Sequence, residues 1–351
     1  MTATIKGYAA HTVKAALEPF SFERRALRAD DVDIEILYCG VCHSDLHHVN
    51  NDWGLTTYPV VPGHEIIGTV KAVGSAVSKF KVGDTVGVGC LVDSCRHCES
   101  CSDGLEQYCE EGATLTYDCH DRHDGKLLFG GYSESIIASE RFVLRIPQGL
   151  DLKGAAPLLC AGITVWSPLR HWNVKAGDKV AVVGLGGLGH MAIKLARALG
   201  AEVSLFSRSA EKAQDAYRLG ANNIIVSGDA AQMAQAAKQF DLIIDTVPVV
   251  HDINPYLPTL KRDGTLVLVG YLGELAPTLN TSPLVRYRQS VAGSLIGGLP
   301  QTQELLDFCA EHGIASDVEM VNIADINEIY RRLEKGDVKY RFVIDNRSLR
   351  A

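Results

Sequence analysis

Four cysteines, Cys95, Cys98, Cys101 and Cys109, share one stretch of fifteen residues at the spacing C-x2-C-x2-C-x7-C. On a lobe rich in Gly and Ser, four thiolates can surround one tetrahedral Zn²⁺. A closed shell of four leaves no open position, so the site reads as structural. The spacing alone leaves an iron–sulfur cluster, free thiols or a zinc-ribbon contact with nucleic acid as alternatives. The charge balance opposes the last: 34 Lys+Arg against 42 Asp+Glu gives a net charge of -8, whereas polyanion binders use clustered positive charge.

A second set is dispersed: Cys42, the His64-Glu65 pair and Cys160. Two Cys and one His with an open fourth position describe one type of catalytic zinc site. Spacing does not reveal this set, and Cys160 within Leu-Leu-Cys-Ala-Gly reads first as a buried apolar thiol. Cys39, Cys90, Cys119 and Cys309 read as small buried or half-exposed thiols.

The third constellation is Gly184-Leu185-Gly186-Gly187-Leu188-Gly189, a G-x-G-x-x-G. It follows the apolar run Lys179–Val183 and opens a helical pattern, the context in which that motif cradles a dinucleotide pyrophosphate. Free N–H groups at the helix start favour the phosphates. The end of the next strand selects the coenzyme, because a carboxylate there binds the NAD ribose and repels a 2′-phosphate. This chain has Ser207-Arg208-Ser209, with Lys212 one turn on. Two hydroxyls and two cations suit a phosphate, so the reading is NADP(H); an exposed basic stretch at a helix start is the plainer alternative.

The elements that must position these groups follow from periodicity. Val32–Leu37 alternates with period two, and Ile66–Val73 and Val82–Val88 read as further short strands among Gly/Pro loops, a mostly β region. The character changes after Pro157. Leu188, Met191, Ala192, Leu195, Ala196 and Leu199 make one helical face, with Gly200 placed to end it. Strands at Lys179–Val183, Val203–Phe206, Ile224–Val226, Asp241–Asp245 and Thr265–Val269 alternate with helical patterns, which implies a parallel doubly wound sheet. The tail from about Gln301 reads as two helices and a strand, Arg341–Asp345, and can complete either region; Ser290–Ser294 reads as a possible edge strand. The fold class is therefore α/β. At 351 residues and 46% hydrophobic, the chain is long enough for two packed domains. No run approaches the ~18 apolar residues of a membrane span. The start, Met1-Thr-Ala-Thr-Ile-Lys, carries no basic segment followed by an apolar one, so the expectation is a cytoplasmic protein whose ten cysteines serve metals or catalysis rather than disulfides.

Taken together, Gly40-Val-Cys-His-Ser-Asp45, Gly63-His-Glu-Ile-Ile-Gly68, the four-cysteine lobe, Pro157-Leu-Leu-Cys-Ala-Gly162 and Gly184–Gly189 resemble the zinc-dependent medium-chain alcohol dehydrogenases over nearly the whole chain. The nearest likeness is the cinnamyl-alcohol-dehydrogenase-like branch, which includes NADPH-dependent aldehyde reductases. The resemblance implies a GroES-like catalytic domain from residues 1–155 and 292–351, with a Rossmann NADP-binding domain, 156–291, inserted between. It implies Cys42, His64 and Cys160 as catalytic zinc ligands, Glu65 as a carboxylate that can approach the metal, and Asp45 as the group orienting His64. Ser44 matches the hydroxyl that bonds the substrate oxygen, and His47 the end of a proton relay. Thr164, Thr246, Val269, Gly270, Ser294 and Ile296 match coenzyme contacts. Two Zn²⁺ per chain and a homodimer are further expectations.

The activity so implied is reversible NADP(H)-dependent interconversion of a primary alcohol and an aldehyde, favouring reduction. A conjugated C=C reductase on the same fold is the enzymatic rival, although it has no need of Ser44 and His47. A zinc- and nucleotide-binding regulatory protein is the other. Trp53, Leu55, Tyr58, Leu91 and Leu115 are candidates for an apolar cleft, with core packing the even alternative. No charged group announces an acidic substrate, so a neutral aliphatic or aromatic aldehyde is expected.

Overall fold

The structure is a computed structural model, and it describes residues 4–270 and 273–350. The chain divides into two compact units, Met1–Cys160 with Gly297–Ala351, and Ala161–Ile296. Both junctions fall five residues beyond the expected 155/156 and 291/292; at the first, the helix Ala161–His171 starts only after Cys160.

The first unit is built on a strand of eleven residues, Asp31–Val41. Val32, Ile34 and Ile36 are buried while Asp33 and Glu35 are half-buried, the alternation the period-two pattern predicts. Ile66–Val73 pairs antiparallel along one edge of this strand. On the other edge lie both Ser135–Ser139, toward its start, and Arg341–Asp345, toward its end. The tail strand therefore belongs to this unit, which settles a placement that periodicity leaves open. Ile34, Ile36, Ile66, Val86, Val88, Phe342 and Ile344 share its core, and fully burying each such side chain stabilises by roughly 1.5–3 kcal/mol.

The second unit is a six-stranded parallel sheet: Lys179–Val183, Glu202–Ser207, Asn223–Val226, Phe240–Asp245, Leu260–Leu268 and Ser290–Gly293. Numbered in that order the strands lie 3-2-1-4-5-6, the dinucleotide-binding arrangement in which strand order reverses beside the first strand. The first helix, Gly187–Ala198, buries Met191, Ala192, Leu195 and Ala196, and Gly200 follows at φ +87°. Ser290–Gly293 is the sheet's outer strand. Among the described residues no helix is long and apolar enough to cross a membrane.

Candidate active site and coenzyme site

Cys42 is the N-cap of the helix His43–Asn50. Asp45, three residues on, returns its carboxylate to the Cys42 N–H at 2.9 Å, a capping box with a cysteine at its head. His64 and Glu65 leave the loop that feeds the strand Ile66–Val73. Cys160 closes the turn Ala156–Leu159. These three separate elements bring Cys42, His64, Glu65 and Cys160 together, one ligand atom of each lying within 4.8 Å of the others and all four buried. The two sulfurs stand 4.0 Å apart. Their mutual bond holds the Cys42 thiol well below its ordinary value and pushes Cys160 well above. His64 Nδ1 is engaged by Asp45 Oδ1 at 3.1 Å, which turns Nε2 toward the sulfurs' side of the ring. Two thiols, one imidazole and a carboxylate in reserve are a donor set that fits zinc.

Glu65 is wholly buried and ion-paired with Arg341, likewise buried. Burial pushes the Glu65 carboxyl up, to about 7, against the pull of Arg341. Among the described residues its second oxygen has no hydrogen-bond partner. Gly40 makes this possible, because a Cβ there would stand 1.8 Å from Glu65 Oε2. Ser44 Oγ lies 3.7 Å from Cys42 Sγ. His47, half-exposed on the same helix, holds Nδ1 2.7 Å from Asp52 Oδ2.

Cys95, Cys98, Cys101 and Cys109 form the second cluster, again within 4.8 Å of one another. Here the backbone is wrapped around the sulfurs. The Cys98 N–H donates to Cys95 Sγ and the Cys95 N–H to Cys109 Sγ, both at 3.3 Å. Four cysteines with no position left open fit a closed structural zinc.

In the second unit the three motif glycines have three separate reasons. Gly184 turns at φ +89°; Gly186 faces open space, where a ligand's backbone contact needs no Cβ; and a Cβ on Gly189 would meet Gly184 O at 2.1 Å. Thr246 Oγ1 donates to Val183 O at 2.8 Å, fixing it beside this turn. Lys212 Nζ donates to Leu185 O at 3.1 Å, which brings its ammonium onto the turn. Ser207 ends the adjacent strand and is buried; Arg208 and Ser209 follow it, with Arg208 exposed.

The comparisons with known proteins agree with this geometry. Residues 28–148 match the family model for an alcohol dehydrogenase GroES-like domain, and residues 187–311 that for a zinc-binding dehydrogenase. Aldehyde reductase YahK of Escherichia coli (strain K12) is 53% identical over 347 residues, covering 98% of this chain and 99% of the relative. A cinnamyl alcohol dehydrogenase structure from Sorghum bicolor superposes with a TM-score of 0.94 at 48% identity, covering 98% of each chain. The structure of CAD from Helicobacter pylori complexed with NADP(H) gives 0.92 at 42% identity and 99% of each chain. The chain belongs to the zinc-dependent medium-chain alcohol dehydrogenases.

This dehydrogenase, of the cinnamyl-alcohol-dehydrogenase-like branch, is an oxidoreductase that interconverts an alcohol and an aldehyde. Its remaining coenzyme candidates are spread over the second unit. Val269 and Ser294 continue beyond their strands, their N–H groups bonding Asp245 O and Leu268 O at 3.1 Å each. Gly270 has no room for a side chain, since a Cβ would meet Val247 O at 2.6 Å. Ile296 adopts φ +36°, a conformation a β-branched residue avoids unless its surroundings impose it. Thr164 is buried on the helix Ala161–His171.

Sequence reasoning missed several neighbours of the metal site. Arg341 lies 276 residues from Glu65, a separation no spacing rule covers. Asp52, five residues after His47, offered a faint local signal. Cys90, read as an unremarked thiol, hydrogen-bonds Cys160 and donates to Leu159 O at 3.7 Å. The apolar candidates are divided in fate. Leu91 and Leu115 are cross-strand partners, Trp53 packs on the rings of His47 and His48, and Tyr58 donates to Val49 O at 2.8 Å. Leu55 is 83% exposed.

Proposed function

We propose that this dehydrogenase is NADP(H)-dependent and works mainly as a reductase of neutral aliphatic or aromatic aldehydes, with Cys42, His64 and Cys160 holding its catalytic zinc. The observation that carries the reading is the buried donor set itself, with its sulfurs 4.0 Å apart and His64 oriented by Asp45. When bound, zinc supplies Lewis acidity toward the carbonyl oxygen and the coenzyme supplies the hydride. Ser44 Oγ, 3.7 Å from Cys42 Sγ, offers a hydroxyl to the substrate oxygen beside the site. His47 exchanges protons with solvent: Asp52 engages its Nδ1, which leaves Nε2 to take up and release the transferable proton. Glu65, retained by Arg341, is the carboxylate available to the metal during ligand exchange. Cys95, Cys98, Cys101 and Cys109 hold the structural zinc.

In the second unit we assign Gly184–Gly189 to the pyrophosphate and Ser207, Arg208, Ser209 and Lys212 to the 2′-phosphate. The Helicobacter pylori relative, solved in complex with NADP(H), supports that coenzyme. Thr164, Thr246, Val269, Gly270, Ser294 and Ile296 complete the coenzyme contacts. Ser290–Gly293 is an outer strand of its sheet among the described residues, an edge that a second copy can extend, which supports a homodimer. Ten cysteines with no disulfide among the described residues support a reducing, cytoplasmic setting. Turnover of benzaldehyde with NADPH, followed at the nicotinamide absorbance, tests the reading; absence of turnover by two-zinc enzyme across a panel of aldehydes refutes it.

A further inference from the structure

Asp45 is fully buried, and its carboxylate is the meeting point of five donors. Oδ1 accepts from the Gly63 N–H at 3.0 Å, from His64 Nδ1 at 3.1 Å and from the Tyr117 hydroxyl at 2.8 Å. Oδ2 accepts from the Cys42 N–H at 2.9 Å and from the Tyr132 hydroxyl at 3.3 Å. A carboxylate has about four acceptor sites, so this one is saturated. The two backbone donors and His64 belong to the loops that carry Cys42 and His64. The tyrosines come from elsewhere: Tyr117 from just beyond the strand Thr114–Leu115, and Tyr132 from the segment before Ser135–Ser139. Each tyrosine has a further anchor. The Tyr117 ring lies 5.9 Å from that of His64 and edge-on to His48 at 4.9 Å. The Tyr132 hydroxyl receives that of Tyr330 at 3.5 Å, from the helix Ile326–Glu334.

One carboxylate thus fixes the backbone behind one ligand and the imidazole of another. Without the tyrosines it would still bond both, but it could pivot about them. We propose that Tyr117 and Tyr132 are positioning residues of the Cys42/His64/Cys160 metal site, locking the Asp45 carboxylate so that the site retains its metal. The division of labour follows the oxygens. Tyr117 shares Oδ1 with His64 and governs the imidazole; Tyr132 shares Oδ2 with the Cys42 N–H, by the longer bond, and governs the thiolate loop less strongly. The proposal rests on the reading that this cluster holds zinc.

The test uses the two-zinc enzyme and a colorimetric zinc chelator, with the Cys95–Cys109 zinc as internal control. Loss of a group supporting a metal ligand typically weakens metal binding 10- to 100-fold. Tyr117→Phe should therefore release the zinc at Cys42/His64/Cys160 about 10- to 100-fold faster, and Tyr132→Phe by a smaller factor, with release from the four-cysteine site unchanged. With Co²⁺ in the same site, the visible ligand-field bands of Tyr117→Phe should shift. Two zincs released at wild-type rates with unshifted bands overturn the proposal alone, and so does equal acceleration at both sites, which would mean general loosening. A wild-type enzyme with only the four-cysteine zinc overturns the underlying reading and the proposal with it.

Discussion

The two cysteine clusters use the same sulfur chemistry and are built in opposite ways. Cys95–Cys109 is local: fifteen residues fold around their own sulfurs, and backbone N–H groups at 3.3 Å point at two of them. Cys42 and Cys160 are 118 residues apart and meet only because separate elements of the first unit deliver them. Around the dispersed set stand groups that hold their geometry by hydrogen bonds and ion pairs of their own, Asp45 with five donors and Glu65 with Arg341. A locally wrapped site depends on its metal for shape. An assembled site has its shape from the fold and can devote the metal to chemistry.

Substitution of one ligand in each cluster should separate these cases, and the largest effect is expected at the assembled site. Cys42→Ala should abolish turnover and remove one zinc of two, while circular dichroism and the unfolding midpoint stay near wild type. Metal analysis showing one zinc or none in active wild-type enzyme contradicts this directly. Cys98→Ala should do the reverse in order of events: loss of the other zinc, then a lower unfolding midpoint and earlier proteolysis within 95–109. Metal binding to a structural site contributes to folding free energy because the unfolded chain lacks the site. A Cys98→Ala protein as stable as wild type would show that the lobe is held by its turns alone.

The same contrast explains what could be read from the sequence. The lobe and the glycine loop were legible because their residues are neighbours and their spacing is set by the geometry of what they bind. The sheet of the second unit was legible because most of its strands are short apolar runs between helical patterns, and its Lys179–Val183 strand falls where the pattern places it; Leu260–Leu268 starts five residues before the apolar run at Thr265, over Lys261, Arg262 and Asp263, which carry no such signal. In the sequence Glu65 stands beside His64 and nothing near it announces Arg341; the partner becomes visible only when Arg341–Asp345 pairs with Asp31–Val41. The tyrosines around Asp45 are likewise silent, since a Tyr in a loop has no period. Recognition of the dispersed ligands rested on family resemblance. From composition, Cys160 was a core residue, and its burial is in fact complete enough to fit that reading too.

A smaller effect is expected at the rim of the assembled site. His47 sits half-exposed with Asp52 on its Nδ1. His47→Gln should slow turnover by up to ~10²-fold, less than a buried acid–base group would cost, because water reaches the same position. Small imidazole or amine buffers should restore part of the rate, and Asp52→Asn should produce a weaker version of the same defect. If Ser44→Ala and His47→Gln both leave the rate and its pH profile unchanged, neither residue handles the proton.

The smallest effect is expected where the site is local and faces solvent, at the coenzyme-selecting turn. Arg208 and Lys212 are four residues apart, but the structure gives them different duties. Lys212 donates to Leu185 O within the glycine turn, whereas Arg208 is exposed beyond the strand end. Lys212→Ala should therefore weaken both coenzymes, since the turn that cradles the pyrophosphate loses a tie, and NADPH the more, since the 2′-phosphate loses a cation as well. Arg208→Ala should raise the NADPH KM about tenfold, as loss of one charge-assisted contact implies, and leave NADH nearly untouched. Added salt should narrow the wild-type preference for NADPH, because an exposed guanidinium is screened within about 10 Å at 0.1 M. Ser207→Asp should invert that preference: its carboxylate repels a 2′-phosphate and accepts from ribose hydroxyls, from a buried strand end where it cannot swing away. Steady-state kcat/KM for both coenzymes, measured at two ionic strengths, checks all four outcomes. A wild-type enzyme that uses NADH as well as NADPH at either ionic strength refutes the 2′-phosphate assignment and leaves the comparison of the two metal sites untouched.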